Sequence, residues 1–427
     1  MSLTPHQKEI FDKSLELLKT EKRLVIKGSA GVGKTYMVNQ LVKAIRIPPG
    51  KEIYCSAPTH KAVAVLKGKV DEIPKLLFTT THSALKLKRV IDFRTGDISF
   101  KPQFDKRFPP LKTVGLFIID EVSMLNSELL DYIEEYSNMY NVTVIFIGDD
   151  KQLNPVNEEE SPVFNRSFPE VELTEIVRQG AGNPIIELSR NLNSIGIGQS
   201  NRTDIGGYIY SNEKAQVINT LAAVNGTDDL KYLAWTNKEV DLMNFLVRRE
   251  IYGNPKKVEV GETLVFNGPY KETHFTSEEV KVETCMVKEK EFKFVLNKSG
   301  KLHPEEGEEP YFGKVLLKYY SINYLEDGDN TIDKIIVVHE DSEKKYSNIV
   351  KLVKNKAKFA DIDWKDYYGF VEQFADLKYN HAMTVHKSQG STYKQAIVNV
   401  KNLKMNRNLV EKQRLLYTAV TRASELL

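Results

Sequence analysis

Cysteine is nearly absent: Cys55 and Cys285 are the only two in 427 residues, and neither sits in a metal-ligand spacing. This excludes a disulfide-stapled scaffold and a thiolate metal cluster, and it points to a reducing compartment. Long apolar runs are missing too. The longest, around Val114–Ile119 and Val142–Ile147, fall far short of the roughly 20 residues that a membrane-crossing helix needs. The stretch from Met1 to Phe11 has no apolar signal core. No charge sign dominates: 60 Lys and Arg stand against 58 Asp and Glu, a formal charge of +2. A polyanionic partner would therefore be held by a locally basic groove, not by the whole surface. Repeats, low-complexity tracts and coiled-coil heptads are also lacking. A soluble cytoplasmic protein with no membrane partner is expected.

What is present is ordinary globular material, 41% hydrophobic and 28% charged, and long enough for two or three domains. Residues 6–20 carry a helical apolar pattern after Thr4-Pro5, Leu24–Ile26 is a short buried strand, and Tyr36–Ile45 is a helix. Further short apolar runs at Ile53–Ser56, Val114–Ile119 and Val142–Ile147 alternate with helical stretches such as Ser127–Tyr136. That alternation predicts an α/β fold with a mainly parallel sheet covered on both faces. Val90–Phe93 and Ile98–Phe100 flank Arg94-Thr95-Gly96-Asp97, a hairpin signature. After about residue 260 the pattern turns to period two, at Val280–Val287, Phe292–Leu296, Val315–Leu325 and Ile332–Val338. This reads as half-exposed antiparallel strands forming a small β module. Parallel α/β character returns near Trp364.

Gly28–Thr35 reads Gly-Ser-Ala-Gly-Val-Gly-Lys-Thr between a strand and a helix. In that setting backbone N–H groups and a helix N-terminus cradle phosphate. Gly28, Gly31 and Gly33 shape the loop, Lys34 reaches the β and γ oxygens, and Thr35 coordinates Mg²⁺. ATP and Mg²⁺ are the expected cofactors. Asp120 and Glu121 end an apolar strand; Asp120 is placed to hold Mg²⁺ and Glu121 to deprotonate the attacking water. Alone, such a pair reads equally well as a solvated helix start; behind a phosphate loop the catalytic reading prevails. Gln152 stands at the end of the Val142–Gly148 strand as a γ-phosphate sensor, and Gln7 as a reader of the adenine edge. Arg178 and Arg422 are the two candidates for the positive charge that phosphoryl transfer requires.

These motifs, with Ala57–Ala62, Thr80–His82, Gly148–Val156, Thr236-Asn237, Thr384–Ser391 and Tyr417–Arg422, occur in an order that resembles superfamily 1 DNA helicases. The likeness is narrower still to the branch of the phage Dda helicase and its RecD-like relatives, and it spans nearly the whole chain. It implies two RecA-like domains with ATP between them, and 5′→3′ movement on single-stranded DNA in a bacterial or phage-infected cell. It carries Gln7, Lys34, Thr35, Asp120, Glu121, Gln152, Arg178, Gly390 and Arg422 to ATP-contacting positions. Pro58, Thr59, His60, Thr81, His82, Asn237, Thr384, His386 and Ser388 match positions at or near the DNA strand; such groups bond phosphate or sugar without reading sequence. For the three histidines the plain alternative is a structural hydrogen bond under a loop. The 90–100 hairpin, within an insertion at about 86–110, stands where the family carries a strand-separating pin. Phe93 or Phe100 would stack at the fork, with Phe100 the closer match; the alternative is that both pack the hairpin.

The implied division is 1–178 as the first RecA-like domain, 179–258 plus 360–427 as the second, and 259–359 as an SH3-like insertion. Trp364, Tyr367 and Tyr368 read as core more than as a DNA platform. Two departures stand out: the chain ends five residues after Arg422, leaving room for only a short terminal strand, and Ser277-Glu278-Glu279 replaces a customary Asn-Gly turn. The leading expectation is a monomeric ATP-dependent 5′→3′ DNA helicase, acting on single strands and the duplex fork with single-strand-binding or replication proteins. The alternative is a nucleic-acid-stimulated translocase that unwinds little and serves a larger complex.

Overall fold

The computed structural model describes residues 3–92, 94–176, 182–195, 198–224, 229–271, 274, 276–297, 311–326 and 329–427. Phe93 and Arg178 lie outside the described residues. The first unit is built on a six-stranded, all-parallel sheet. Its spatial order is Leu76–Thr80, Glu52–Ala57, Val114–Ile119, Thr143–Gly148, Arg23–Gly28, Glu170–Leu173. Side-chain alternation explains why the central strands are mostly apolar: Leu24 and Ile26 pack on one face with Met37, Leu41 and Ile118. Val25 packs on the other face with Phe117, Val144 and Phe146. A sheet buried on both faces needs apolar residues at every position.

The hairpin pairs Leu87–Ile91 with Ile98–Pro102. Asp92 accepts hydrogen bonds from the backbone N–H groups of Arg94 and Thr95, and Gly96 takes φ +77° to close the turn. Its tip is not free. A Cβ on Gly96 would lie 2.3 Å from the Trp364 ring, Tyr368 Oη donates to the Gly96 carbonyl at 3.1 Å, and Arg89 pairs with Glu372.

The second sheet also has six strands, in the order Ala382–Thr384, Leu230–Ala234, Tyr393–Val398, Ala423–Leu426, Gly206–Tyr208, Asn201–Thr203. All its pairings are parallel except that of the two short strands at one edge. The terminal strand is present, short and paired on both sides. Between these segments lie two small sheets. One joins Thr263–Phe266 to Glu279–Lys281 and Leu377–Tyr379; the other is the antiparallel run Thr284–Asn297, Tyr311–Glu326, Asp329–Val338. Ser277 takes φ +70° at the turn before Glu279, the left-handed geometry that an Asn-Gly turn supplies more cheaply. Helix Trp364–Val371 shares a core with Phe292, Phe294 and helix Glu340–Lys358, and Trp364 is 6% exposed. The chain rejoins the second sheet only at Ala382. No helix among the described residues is long and apolar enough to cross a membrane.

Candidate nucleotide and DNA sites

The phosphate loop runs from strand Arg23–Gly28 into helix Lys34–Ala44. Gly31 and Gly33 hold φ +85° and +84°, which turn successive N–H groups inward at no steric cost. Lys34 Nζ donates to the carbonyls of Gly28 at 2.7 Å and Ser29 at 3.1 Å, so its charge lies along the loop. Thr35 follows in the first turn of the helix. Gln7 is 1% exposed and makes a capping box with Thr4; its Nε2 donates to the Val32 carbonyl at 3.2 Å. It thus ties the first helix to the phosphate loop, beside the region where a base would lie.

Asp120 and Glu121 follow strand Val114–Ile119. Burial and the adjacent Glu121 carboxylate push the Asp120 carboxyl up to about 7, against the pull of Lys34. Glu121 holds φ +55°, a left-handed conformation that costs a non-glycine residue on the order of 1–3 kcal/mol. Its Oε2 is buried without a hydrogen-bond partner among the described residues. A crowded carboxylate pair, one oxygen unsatisfied, calls for a cation or a polarised water. Asp120 with the Thr35 hydroxyl forms the hard oxygen-donor set that suits Mg²⁺.

The second unit closes over this loop. Tyr417, on helix Leu409–Val420, accepts from the Ala30 N–H at 3.2 Å and donates to Asp149 Oδ2 at 2.7 Å. Asp149 is fully buried and also accepts from the Lys151 N–H at 3.1 Å. The Tyr417 hydroxyl is held well above the usual phenol range, by burial first and then by Asp149. Arg414 donates to the carbonyls of Asp150 and Gln152, Thr418 Oγ1 accepts from the Leu153 N–H at 3.2 Å, and Gln389 donates to the Leu153 carbonyl at 3.0 Å. Gln152 is 2% exposed, with its Oε1 unpartnered among the described residues. Arg422 is buried and donates to the carbonyls of Thr418 and Ser391. Gly390 packs against the start of helix His60–Lys67, where a Cβ would sit 3.0 Å from Ala62.

A cleft between that helix, the second sheet and the β insertion is lined by Lys61, Asn237, Asn267, Thr384, Lys387 and Tyr393, among others. Lys61 pairs with Glu279 at 3.0 Å across the cleft, and its ammonium lies 5.4 Å from the Tyr393 ring centroid. Burial, then Lys378, lowers the Lys387 pKa. On the first unit, half-buried His82 meets exposed Phe100 edge-on with ring centroids 5.1 Å apart. Burial lowers the pKa values of His60, His82 and His386. His386 lies 3.9 Å from Glu411. Pro58 is half-buried, and Thr59 caps helix His60–Lys67 through the Ala62 N–H. Thr81 is buried against the Ser56 hydroxyl at 3.2 Å, and buried Ser388 donates to the Val385 carbonyl at 2.7 Å.

Comparison with known proteins fits this geometry. A family model described as an AAA domain matches residues 2–208, and a UvrD-like helicase C-terminal domain matches 379–427. The chain is 28% identical to the ATP-dependent DNA helicase dda of Enterobacteria phage T4, over 98% of this chain and 97% of that one. Its two ends thus match an AAA domain and a helicase C-terminal domain, and its whole length is similar to a DNA helicase. An uncharacterized protein of Acanthamoeba polyphaga mimivirus is 29% identical over 97% of both chains. The crystal structure of Pif1 helicase from Candida albicans shares the fold of this chain, with a TM-score of 0.50, 19% identity, and coverage of 100% and 94% of the two chains.

Residue-level reasoning on this sequence missed Asp149, Arg414 and Thr418, and gave Tyr417 no role of its own. Their signal was available only as position: Asp149 follows the glycine that ends a strand, and the other three share one helix face at spacings of three and one. Nothing local says that this face meets a loop from the first unit.

Proposed function

We propose that this protein converts ATP hydrolysis in the cleft between its two parallel sheets into 5′→3′ movement along single-stranded DNA, separating duplex as it goes. It is an ATP-dependent DNA helicase. The observation that carries the coupling is the Tyr417 hydroxyl, which bonds the phosphate loop of one unit to a helix of the other. A change at the γ-phosphate is felt directly by the second sheet. Lys34 offsets phosphate charge, Glu121 takes the proton from the attacking water, and Arg422 and Arg178 supply positive charge as the phosphate leaves. Thr35 and Asp120 would hold Mg²⁺, which when bound neutralises phosphate charge. Gln7 reads the adenine and Gln152 senses the γ-phosphate.

Single-stranded DNA occupies the cleft lined by Asn237 and Thr384, passing Pro58, Thr59, His60, His82 and His386. The 87–102 hairpin acts as the pin, with Phe100 at its working face. We place the return from the SH3-like insertion to the second domain near residue 381, not 360. The support is that helix Trp364–Val371 and strand Leu377–Tyr379 pack and pair with the insertion. The test is ATPase rate with and without single-stranded DNA, alongside strand displacement on 5′- and 3′-tailed duplexes. DNA-stimulated turnover with displacement only from 5′ tails supports the reading. Displacement from 3′ tails alone overturns the direction, and stimulated turnover with no displacement on either favours the translocase alternative.

A further inference from the structure

Helix Glu340–Lys358 carries nine charged residues in an uneven state of pairing. Its acids are used internally: Asp341 pairs with Lys318 at 3.0 Å, Glu343 with Lys257 at 2.5 Å, and Glu340 accepts from Tyr320 Oη at 2.8 Å. Two lysines are likewise engaged, Lys345 with the Leu316 carbonyl at 3.0 Å and Lys356 with Asp361 at 3.6 Å. The remaining four, Lys344, Lys351, Lys354 and Lys358, are exposed, and their ammonium groups have no ion pair or hydrogen bond among the described residues.

They also share a face. Tyr346, Ile349, Val350, Val353 and Ala357 point into the insertion core. Lys344, Lys351 and Lys358 recur every seven residues opposite that core, with Lys354 beside them. At 1.5 Å per residue the stripe is about 21 Å long. In a chain whose net charge is only +2, this is a concentrated and unneutralised positive surface. Its basic end leads directly into helix Trp364–Val371, which receives the hairpin tip.

We propose that this helix face holds the phosphate backbone of the duplex arm just ahead of the fork. The proposal rests on the DNA-helicase reading above. Duplex fits the surface better than single strand. Single-strand sites combine a positive groove with aromatic rings that stack bases, whereas this face is convex and Tyr346, the aromatic within the stripe, faces the core. A duplex presents about one charge per 1.7 Å of axis, so a length matching this stripe carries roughly 12 in all, and those on its near side fall to the four lysines.

The test combines Lys344→Gln, Lys351→Gln, Lys354→Gln and Lys358→Gln in the full chain, with melting as a fold control. Affinity is measured against salt on three DNAs: a fork, its 5′ tail alone as a single strand, and its displaced arm alone as a single strand. Fork affinity is expected to fall at least about tenfold, with the log–log salt slope reduced by up to about 3.6, at roughly 0.9 for each of four phosphate contacts. Tail binding and DNA-stimulated ATPase are expected to stay unchanged. An equal loss on the tail alone would mean that the lysines line the tracking groove, and a loss confined to the displaced arm would assign them to that strand; either overturns the proposal. No change on any DNA reduces the stripe to a solvated face and also overturns it. A wild-type protein with no DNA-stimulated ATPase sinks the helicase reading itself, a separate result.

Discussion

Single side chains decide whether ATP is bound, hydrolysed or felt across the cleft, and each role has its own signature. Glu121→Gln keeps the size of the side chain but cannot accept the proton from water. ATP binding is expected to persist while turnover falls about 10²–10⁴-fold, the usual contribution of a positioned base; nucleotide binding by fluorescence and single-turnover hydrolysis check it. Normal turnover would remove Glu121 from the base role. Tyr417→Phe tests the bridge between the units. It keeps the ring and deletes the hydroxyl that serves Ala30 and buried Asp149. Leaving a buried acceptor short of a donor costs about 1–3 kcal/mol. A lower melting temperature is expected, with a fall in the kcat of DNA-stimulated hydrolysis larger than any change in DNA affinity. Stability loss without a kcat effect would make the hydroxyl merely structural.

At the scale of elements, the proposed pin packs its tip on helix Trp364–Val371, and the two are expected to act as one wedge. Gly96→Val adds bulk where a Cβ alone would come within 2.3 Å of Trp364, and it demands a left-handed backbone that valine resists. The tip is expected to lift from helix Trp364–Val371. Strand displacement is then expected to fall several-fold while translocation on single strands continues. Phe100→Ala removes a 42% exposed ring that meets the His82 ring edge-on. Losing one base–aromatic stack costs on the order of 1–3 kcal/mol, enough for a many-fold unwinding defect with ATPase retained. Equal losses in ATPase, translocation and unwinding for either variant would show that the hairpin supports the fold and not the fork.

Across the whole molecule, acid sensitivity follows from buried imidazoles. His381 is 3% exposed, and neither ring nitrogen has a hydrogen-bond partner among the described residues. Burial, then Lys231 and Arg248, push its pKa down to about 4. Unfolded histidine titrates near about 6.5. Between those values the unfolded chain takes up a proton that the folded chain refuses, so stability is lost as pH falls through that window and is flat above it. His60, His82 and His386 are lowered by burial in the same direction. Melting temperature against pH is expected to be shallower between about 4 and 6.5 for His381→Leu than for the wild type. Parallel curves would exclude His381 as the source.

The phosphate loop, the Asp120-Glu121 pair, the strand–helix alternation and the turn to antiparallel strands near residue 260 were legible in the sequence. Each is written in neighbouring residues: a glycine spacing, a carboxylate at a strand end, a period of two or of 3.6. The departure at Ser277-Glu278-Glu279 from a customary Asn-Gly turn was visible as well, but the left-handed backbone at Ser277 came only from the structure. What the tertiary structure alone decided are pairings between distant parts of the chain. Ala30 and Tyr417 are 387 residues apart, and Gly96 and Tyr368 are 272 apart. The bond from Gln7 to the Val32 carbonyl and the packing of Trp364 with Phe292 and Phe294 belong to the same class. Local pattern reports which face of an element is apolar or which loop binds phosphate. It carries no record of which two finished surfaces will meet, since that depends on how whole sheets, each already buried on both faces, dock as rigid bodies.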